Sequence, residues 1–172
     1  MARTLTIKAG GPSPFSDGWH EVTISKSKYG TYKDSKFLEL WFERYSENFT
    51  LRIYEKMGKD GEEFAIGNVF RFADAGITEA LEGADGNTVV KLNDEAEELV
   101  GKKLNIYLYK DGKYSRALTN VAPTTFENIV EKFTEKDVEF WKARGRKYFK
   151  DYIQPKLEAK EEETEATADI PF

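Results

Sequence analysis

The sequence predicts a mainly β fold: a small closed five-stranded barrel with one inserted helix, followed by appended helices and a disordered acidic tail. Three observations predict it. Short segments with alternating apolar residues recur up to about residue 121; a single stretch after the third of them switches to helical spacing; and beyond Pro123 the chain turns helical and then runs out of apolar residues. At 172 residues, with 40% hydrophobic and 14% aromatic side chains, the chain can build one real core plus an appendage. It is too short for two full-sized domains.

Residues 1–17 read as a flexible arm, a short alternating piece around Leu5 and Ile7 followed by Gly10-Gly11-Pro12-Ser13-Pro14. From Trp19 to Lys26, Val22 and Ile24 alternate with Glu21, Thr23 and Ser25, the pattern of a half-buried strand. Lys26 to Lys36 is polar and basic and reads as a loop with turn signals at Gly30 and Asp34-Ser35. A second strand, about Phe37 to Tyr45, turns Leu38, Leu40 and Phe42 inward and Phe37, Glu39 and Trp41 outward. In a third, Phe49 to Met57, Leu51 and Ile53 face in and Arg52 and Tyr54 face out. Ile66, Val69, Phe70 and Ala73 fall at helical spacing, with Gly76 as the C-terminal stop. Residues 77–88 read as a loop. Leu104, Ile106 and Leu108 then alternate with Asn105, Tyr107 and Tyr109; Lys110-Asp111-Gly112 turns, and Tyr114 to Val121 returns. Thr124 with Glu127 fits the capping box of a short helix through Phe133, and Thr134 starts a longer one bounded near Gln154-Pro155. Few, short strands with a helix in that place indicate an OB-type Greek-key barrel over residues 18–123, the alternative being an irregular α+β domain. Residues 124–157 form the helical extension and 158–172 the tail, which has nothing to bury.

Composition removes several function classes. With no cysteine, disulfides, thiolate metal sites and cysteine catalysis are excluded, and a single His20 excludes any mechanism that needs two imidazoles. Neighbouring carboxylates such as Glu62-Glu63 and Glu97-Glu98 lack the spacing of a catalytic or metal-ligating set, so no enzyme, metal or cofactor is expected. No apolar run approaches the length of a membrane span, and Met1-Ala2-Arg3-Thr4 leads into no secretory signal. The net charge of −5 first argues against a nucleic-acid partner, but its location reverses that. Lys156 to Phe172 holds two lysines against six acids, whereas residues 1–155 hold 24 basic and 25 acidic residues. Local patches on a nearly neutral body therefore decide what it binds.

The candidate patch is aromatic and basic. Trp41, Tyr54, Tyr107 and Tyr109 point away from the expected core, where a solvated sheet has no need of rings. Lys26, Lys28, Lys33, Lys36, Arg52, Lys102, Lys103 and Arg116 surround the same strands. Rings stack unpaired bases and cations hold the phosphates, so this combination suits single-stranded nucleic acid. The competing reading is that these rings simply meet the C-terminal helices. Those helices are basic too, with Lys142, Arg144, Arg146, Lys147 and Lys150, and could serve packing or a homo-oligomer contact through Trp141 and Phe149.

The last four residues, Asp169-Ile170-Pro171-Phe172, combine acid, a pre-ordering proline and a ring that a partner pocket can bury. They resemble the tip of bacterial single-stranded DNA-binding (SSB) proteins, although Ala166-Thr167-Ala168 stands where that tip has further acids. Over about residues 18–122 the body resembles small phage-encoded OB-fold proteins that bind single-stranded DNA. The likeness lies in Gly18-Trp19-His20-Glu21-Val22-Thr23-Ile24, Phe37-Leu38-Glu39-Leu40-Trp41-Phe42, Phe70-Arg71-Phe72-Ala73-Asp74-Ala75-Gly76 and Leu99-Val100-Gly101-Lys102. The resemblance implies a non-catalytic protein of DNA replication, recombination or repair in the cytoplasm of a bacterial host. Its barrel would hold single-stranded DNA and its tip would recruit replication or recombination proteins. A factor that uses barrel and tail for protein contacts alone, or one that binds or anneals RNA, fits the same sequence.

Overall fold

The computed structural model describes residues 2–6 and 15–168. The alternation around Val22 and Ile24 does produce a strand, but the strand continues through the basic segment expected to be a loop. β1 (Gly18–Tyr32) is 15 residues long. Its first part pairs with β6 (Lys103–Asp111), from Gly18 opposite Leu108 to Thr23 opposite Lys103. Its last part pairs with β2 (Ser35–Phe42), from Ile24 opposite Phe42 to Tyr32 opposite Ser35. Lys33 and Asp34, at φ 48° and 66°, supply the left-handed pair that a two-residue hairpin turn requires.

A bulge between Ile24 and Lys26 hides this strand from the sequence. Side chains alternate along a strand, so one extra residue exchanges the faces. Val22 and Ile24 face the core before the bulge; Ser27 and Tyr29, opposite Leu40 and Leu38, face it afterwards. Lys26 and Lys28 are thereby turned outward, beside Trp41 and Glu39.

β3 (Leu51–Tyr54) pairs with β2, and β7 (Tyr114–Ala117) with β6, giving one antiparallel sheet in the order β3-β2-β1-β6-β7. Ile24, Leu38, Leu40, Leu104, Ile106 and Leu108 have no exposed surface and form its inner face. Each such side chain contributes about 1.5–3 kcal/mol by leaving water. Helix α1 (Ala65–Phe72) covers that face with Ile66, Val69, Phe70 and Phe72. The Glu63 carboxylate accepts the N–H groups of Ala65, Ile66 and Gly67 at 2.9–3.1 Å, so the first turn of α1 is satisfied without a side-chain cap from Phe64.

The sheet does not close. No ladder joins β3 to β7 among the described residues; α1, the segment Thr119–Val121 and helix α2 (Glu135–Tyr148) occupy the seam between them. Phe72 of α1 meets Trp141 of α2 at 4.9 Å beside the groove that these helices form with the β3 edge. The closed OB-type barrel is therefore not formed. The chain is a mixed α/β fold, an open five-stranded sheet with two C-terminal helices, rather than mainly β. The likeness of residues 18–122 to phage single-stranded DNA-binding proteins depended on that barrel and is overturned with it. The family identity falls too, since the tip that resembles the bacterial proteins lies outside the described residues.

Three further segments differ from expectation. Residues 77–88 are not a loop: β4 (Ile77–Glu82) and β5 (Thr88–Leu92) make a separate hairpin. Most of its residues are exposed, so it shows little of the alternation that burial imposes. The short helix expected from Thr124 is instead a two-residue ladder of β8 (Phe126–Glu127) with β9 (Lys132–Phe133). Asn128 Oδ1 accepts from the N–H groups of Val130 and Glu131 and closes that turn, while the Phe126 and Phe133 rings meet at 5.1 Å. Finally, the segment from 158 onward is helical rather than disordered, as far as it is described. α2 passes through a π-helical turn, Phe149–Ile153, into α3 (Gln154–Ala168). Pro155 has no N–H and crowds the preceding turn, and the wider π turn lets the helix pass it. The Glu, Ala and Lys residues that follow are strong helix formers and extend a helix already nucleated.

Thr134 does begin the long helix, where its hydroxyl and Asp137 form a reciprocal capping box. The helix docks on the sheet through Gly145, where a Cβ would lie 2.7 Å from the Trp19 ring. Replacing Gly145 with Leu should cost roughly 1–3 kcal/mol, because Trp19 is already held against Tyr107. Urea unfolding followed by far-ultraviolet circular dichroism measures it, and a change below about 0.5 kcal/mol would mean that α2 does not seat on Trp19.

Candidate nucleic-acid interface

The outer face of the sheet is divided into a covered half and an open half. On the first part of β1 and on β6, outward side chains lie beneath the C-terminal helix. Trp19 packs against Tyr107 at 5.4 Å and under Gly145, and Phe149 lies 5.1 Å from Tyr107 and 5.2 Å from Tyr109. Burial raises the pKa of both tyrosines above the ordinary phenol value. In this arrangement Tyr107 and Tyr109 each pack one ring contact against Phe149 and are half-buried.

The open half spans the second part of β1 with β2 and β3. Cross-strand register sets Lys26 beside Trp41, Lys28 beside Glu39, and Gly30 beside Phe37; Arg52 and Tyr54 follow on β3. Lys26 Nζ lies 4.8 Å over the Trp41 ring, within the range of cation–π attraction. The Trp41 indole N–H donates to the Glu47 carbonyl at 3.1 Å, which fixes the ring plane. The Arg52 guanidinium lies 4.4 Å over Phe37, and Tyr54 meets that ring at 5.4 Å. Phe37 lies flat because Gly30 is beneath it: a Cβ there would be 2.5 Å from the ring. Arg52 donates to Glu39 at 2.9 Å, and hydrogen bonds to Glu39 and then Tyr54 raise its pKa further. Lys26 and Lys28 are exposed and have no carboxylate within 4 Å among the described residues.

The remaining basic residues do not join this face. Lys36 turns to the opposite side and sits 4.5 Å over Tyr29, while Lys33 caps the hairpin tip over Tyr32. Lys102 shares a depression with Asp74 and Glu98, and Lys103 another with Glu21, Glu135 and Glu139. Arg116 is bound to Asp111 at 2.8 Å. The gathered set is therefore Lys26, Lys28, Trp41, Arg52 and Tyr54, with Phe37 beneath it. Phe37 was legible as an outward residue, but nothing in the sequence showed that Gly30 would let its ring lie down. Asp169, Ile170, Pro171 and Phe172 lie outside the described residues. No cluster of three or more His, Cys, Asp or Glu suited to a metal occurs among the described residues. His20 Nε2 lies 2.7 Å from the Ser16 carbonyl at the start of β1, a structural contact.

On the inner side, Tyr29 ties β1 to the acidic segment: its hydroxyl donates to the Asp94 carbonyl at 2.6 Å. Burial, then the fields of Asp94, Glu63 and Glu55, push its pKa up to about 12. The folded state thus holds the phenolic proton more tightly than the unfolded chain. Its contribution to stability is complete below about pH 10 and is lost as pH rises towards 12. Ultraviolet titration should show one late tyrosine that Tyr29→Phe removes. The variant should lose about 1 kcal/mol at neutral pH and part of the alkaline fall in stability. An alkaline profile identical to the parent's would refute the assignment.

No helix among the described residues is long and apolar enough to cross a membrane. Comparison of the chain with protein-family models, with curated proteins and with solved structures returns no match.

Proposed function

We propose that this chain binds single-stranded nucleic acid, without catalysis and largely without regard to sequence, across the open outer face of β1, β2 and β3. The observation that carries the reading is the pairing of rings with cations there: Lys26 over Trp41 and Arg52 over Phe37, with Tyr54 alongside and Lys28 unpaired. Every base has a π face, so a ring such as Trp41 contributes about 1–3 kcal/mol per stacked base whatever the sequence. The cations beside it meet the phosphates that flank that base. Duplex DNA keeps its bases stacked inside and gains only the charge term. The expected substrate is single-stranded DNA during replication, recombination or repair in the cytoplasm. Asp169-Ile170-Pro171-Phe172 would carry contacts to replication or recombination proteins, its ring and acid suiting a basic, apolar pocket.

A second reading, a protein that makes only protein contacts, is favoured by one observation: Trp19, Tyr107 and Tyr109 are covered by the C-terminal helix. Titration decides between them. Poly-dT should quench tryptophan fluorescence at low salt, and duplex of equal length should bind at least tenfold more weakly. Trp41→Ala should weaken poly-dT binding about tenfold, and Lys26→Ala with Lys28→Ala should flatten the salt dependence by about 0.7 per lysine on a log–log plot. Tighter binding of RNA would move the substrate class from DNA to RNA. Removing Ile170–Phe172 should leave strand binding intact while abolishing capture of replication proteins. An absence of strand binding at low salt would overturn the proposal.

A further inference from the structure

The unclosed seam of the sheet is a groove of about 510 Å3 between β3, α1 and α2. That is the size of sites that take one small planar ligand, and such sites combine apolar walls with a few convergent polar groups. Tyr54 and Trp141 supply ring walls, and Phe64, an apolar ring left 48% exposed, stands at the rim. Asn68 and Asn120 bring side-chain amides to the groove, and neither amide has a hydrogen-bond partner among the described residues. Arg144 lies 5.0 Å over Trp141 with no carboxylate in salt-bridge range among the described residues.

An amide offers a donor and an acceptor side by side, as the edge of a nucleobase requires, and a guanidinium stacked on a ring can still grip a phosphate through its free N–H groups. Tyr54 lines this groove and also touches Phe37 on the outer face, so the two surfaces are continuous. We infer that the groove takes one unstacked base and its adjoining phosphate from the strand held on the outer face. Tyr54 and the exposed part of Trp141 wall the base, Asn68 and Asn120 contact its edge, and Arg144, already over the Trp141 ring, holds the phosphate. This rests on the strand-binding reading and adds a pocket to it that the sheet face alone does not supply.

The test uses the full chain and a fluorescein-labelled dT oligomer, with an abasic strand of equal length as control. Asn68→Ala with Asn120→Ala should weaken dT binding five- to tenfold and leave abasic binding unchanged. Arg144→Ala should weaken both strands by a similar factor, with melting temperatures within about 2 °C of the parent in every case. In a Trp19→Phe, Trp41→Phe chain, which keeps Trp141 as its single tryptophan, dT should still quench the fluorescence. If the dT oligomer binds the parent well but these variants bind it equally, or if Trp141 emission stays constant while dT binds, the groove inference is overturned and the outer-face reading stands. If the parent binds neither strand, the outer-face reading fails and the groove inference fails with it.

Discussion

Everything outward-facing in this protein depends on one extra residue in β1. A strand that paired without interruption from Gly18 to Tyr32 would keep Val22, Ile24, Lys26 and Lys28 on a single face, and two ammonium groups would enter the core beside Leu38 and Leu40. Leaving an unpaired charge there would cost several kcal/mol. The bulge between Ile24 and Lys26 exchanges the faces instead. It delivers Lys26 to Trp41 and Lys28 to Glu39, and it sends Ser27 and Tyr29 inward in their place. The exchange leaves one polar group unsatisfied, because the Ser27 hydroxyl is buried without a partner among the described residues. The same strand serves both neighbours, β6 with its first part and β2 with its last, so the bulge also marks where the covered half of the outer face gives way to the open half.

That division gives the C-terminal helix its role. Gly145 lets α2 approach Trp19, and Phe149 then packs against Tyr107 and Tyr109. Trp141 reaches past the sheet edge to Phe72 and Arg71, and Arg71 is itself locked by two hydrogen bonds to Glu131. Helix, sheet edge and β8–β9 hairpin thus brace one another across the seam that a barrel would have closed with backbone hydrogen bonds. The seam becomes a groove because it is filled by side chains from two helices, which leave concave space between them.

Much of this was legible in the sequence, and the failures have physical causes. Leu38, Leu40, Leu51, Ile53, Leu104, Ile106 and Leu108 obey period-two alternation and are buried as expected, because one-sided burial imposes that pattern. Thr134 marked its helix because capping is local chemistry. Alternation failed where burial did not act: in the second part of β1, where a bulge switches parity, and in β4–β5, where both faces are mostly solvated. Closure was not legible at all. Whether two sheet edges meet depends on what α1 and α2 insert between them, and no local pattern encodes that. Trp41, Tyr54 and Arg52 could be read as outward residues from parity alone. That Tyr107 and Tyr109 are covered follows from a long-range contact at Phe149, which the sequence left open between helix packing and strand contact.

The central claim is that the open half of the outer face, and not the covered half, is the strand-binding surface. Amide hydrogen exchange with and without a dT oligomer tests it most directly. The account predicts added protection across Lys26–Lys28, Phe37–Trp41 and Leu51–Tyr54, with none on β4 or β5. Protection confined to other surfaces, with these segments unchanged while the oligomer is bound, would contradict it.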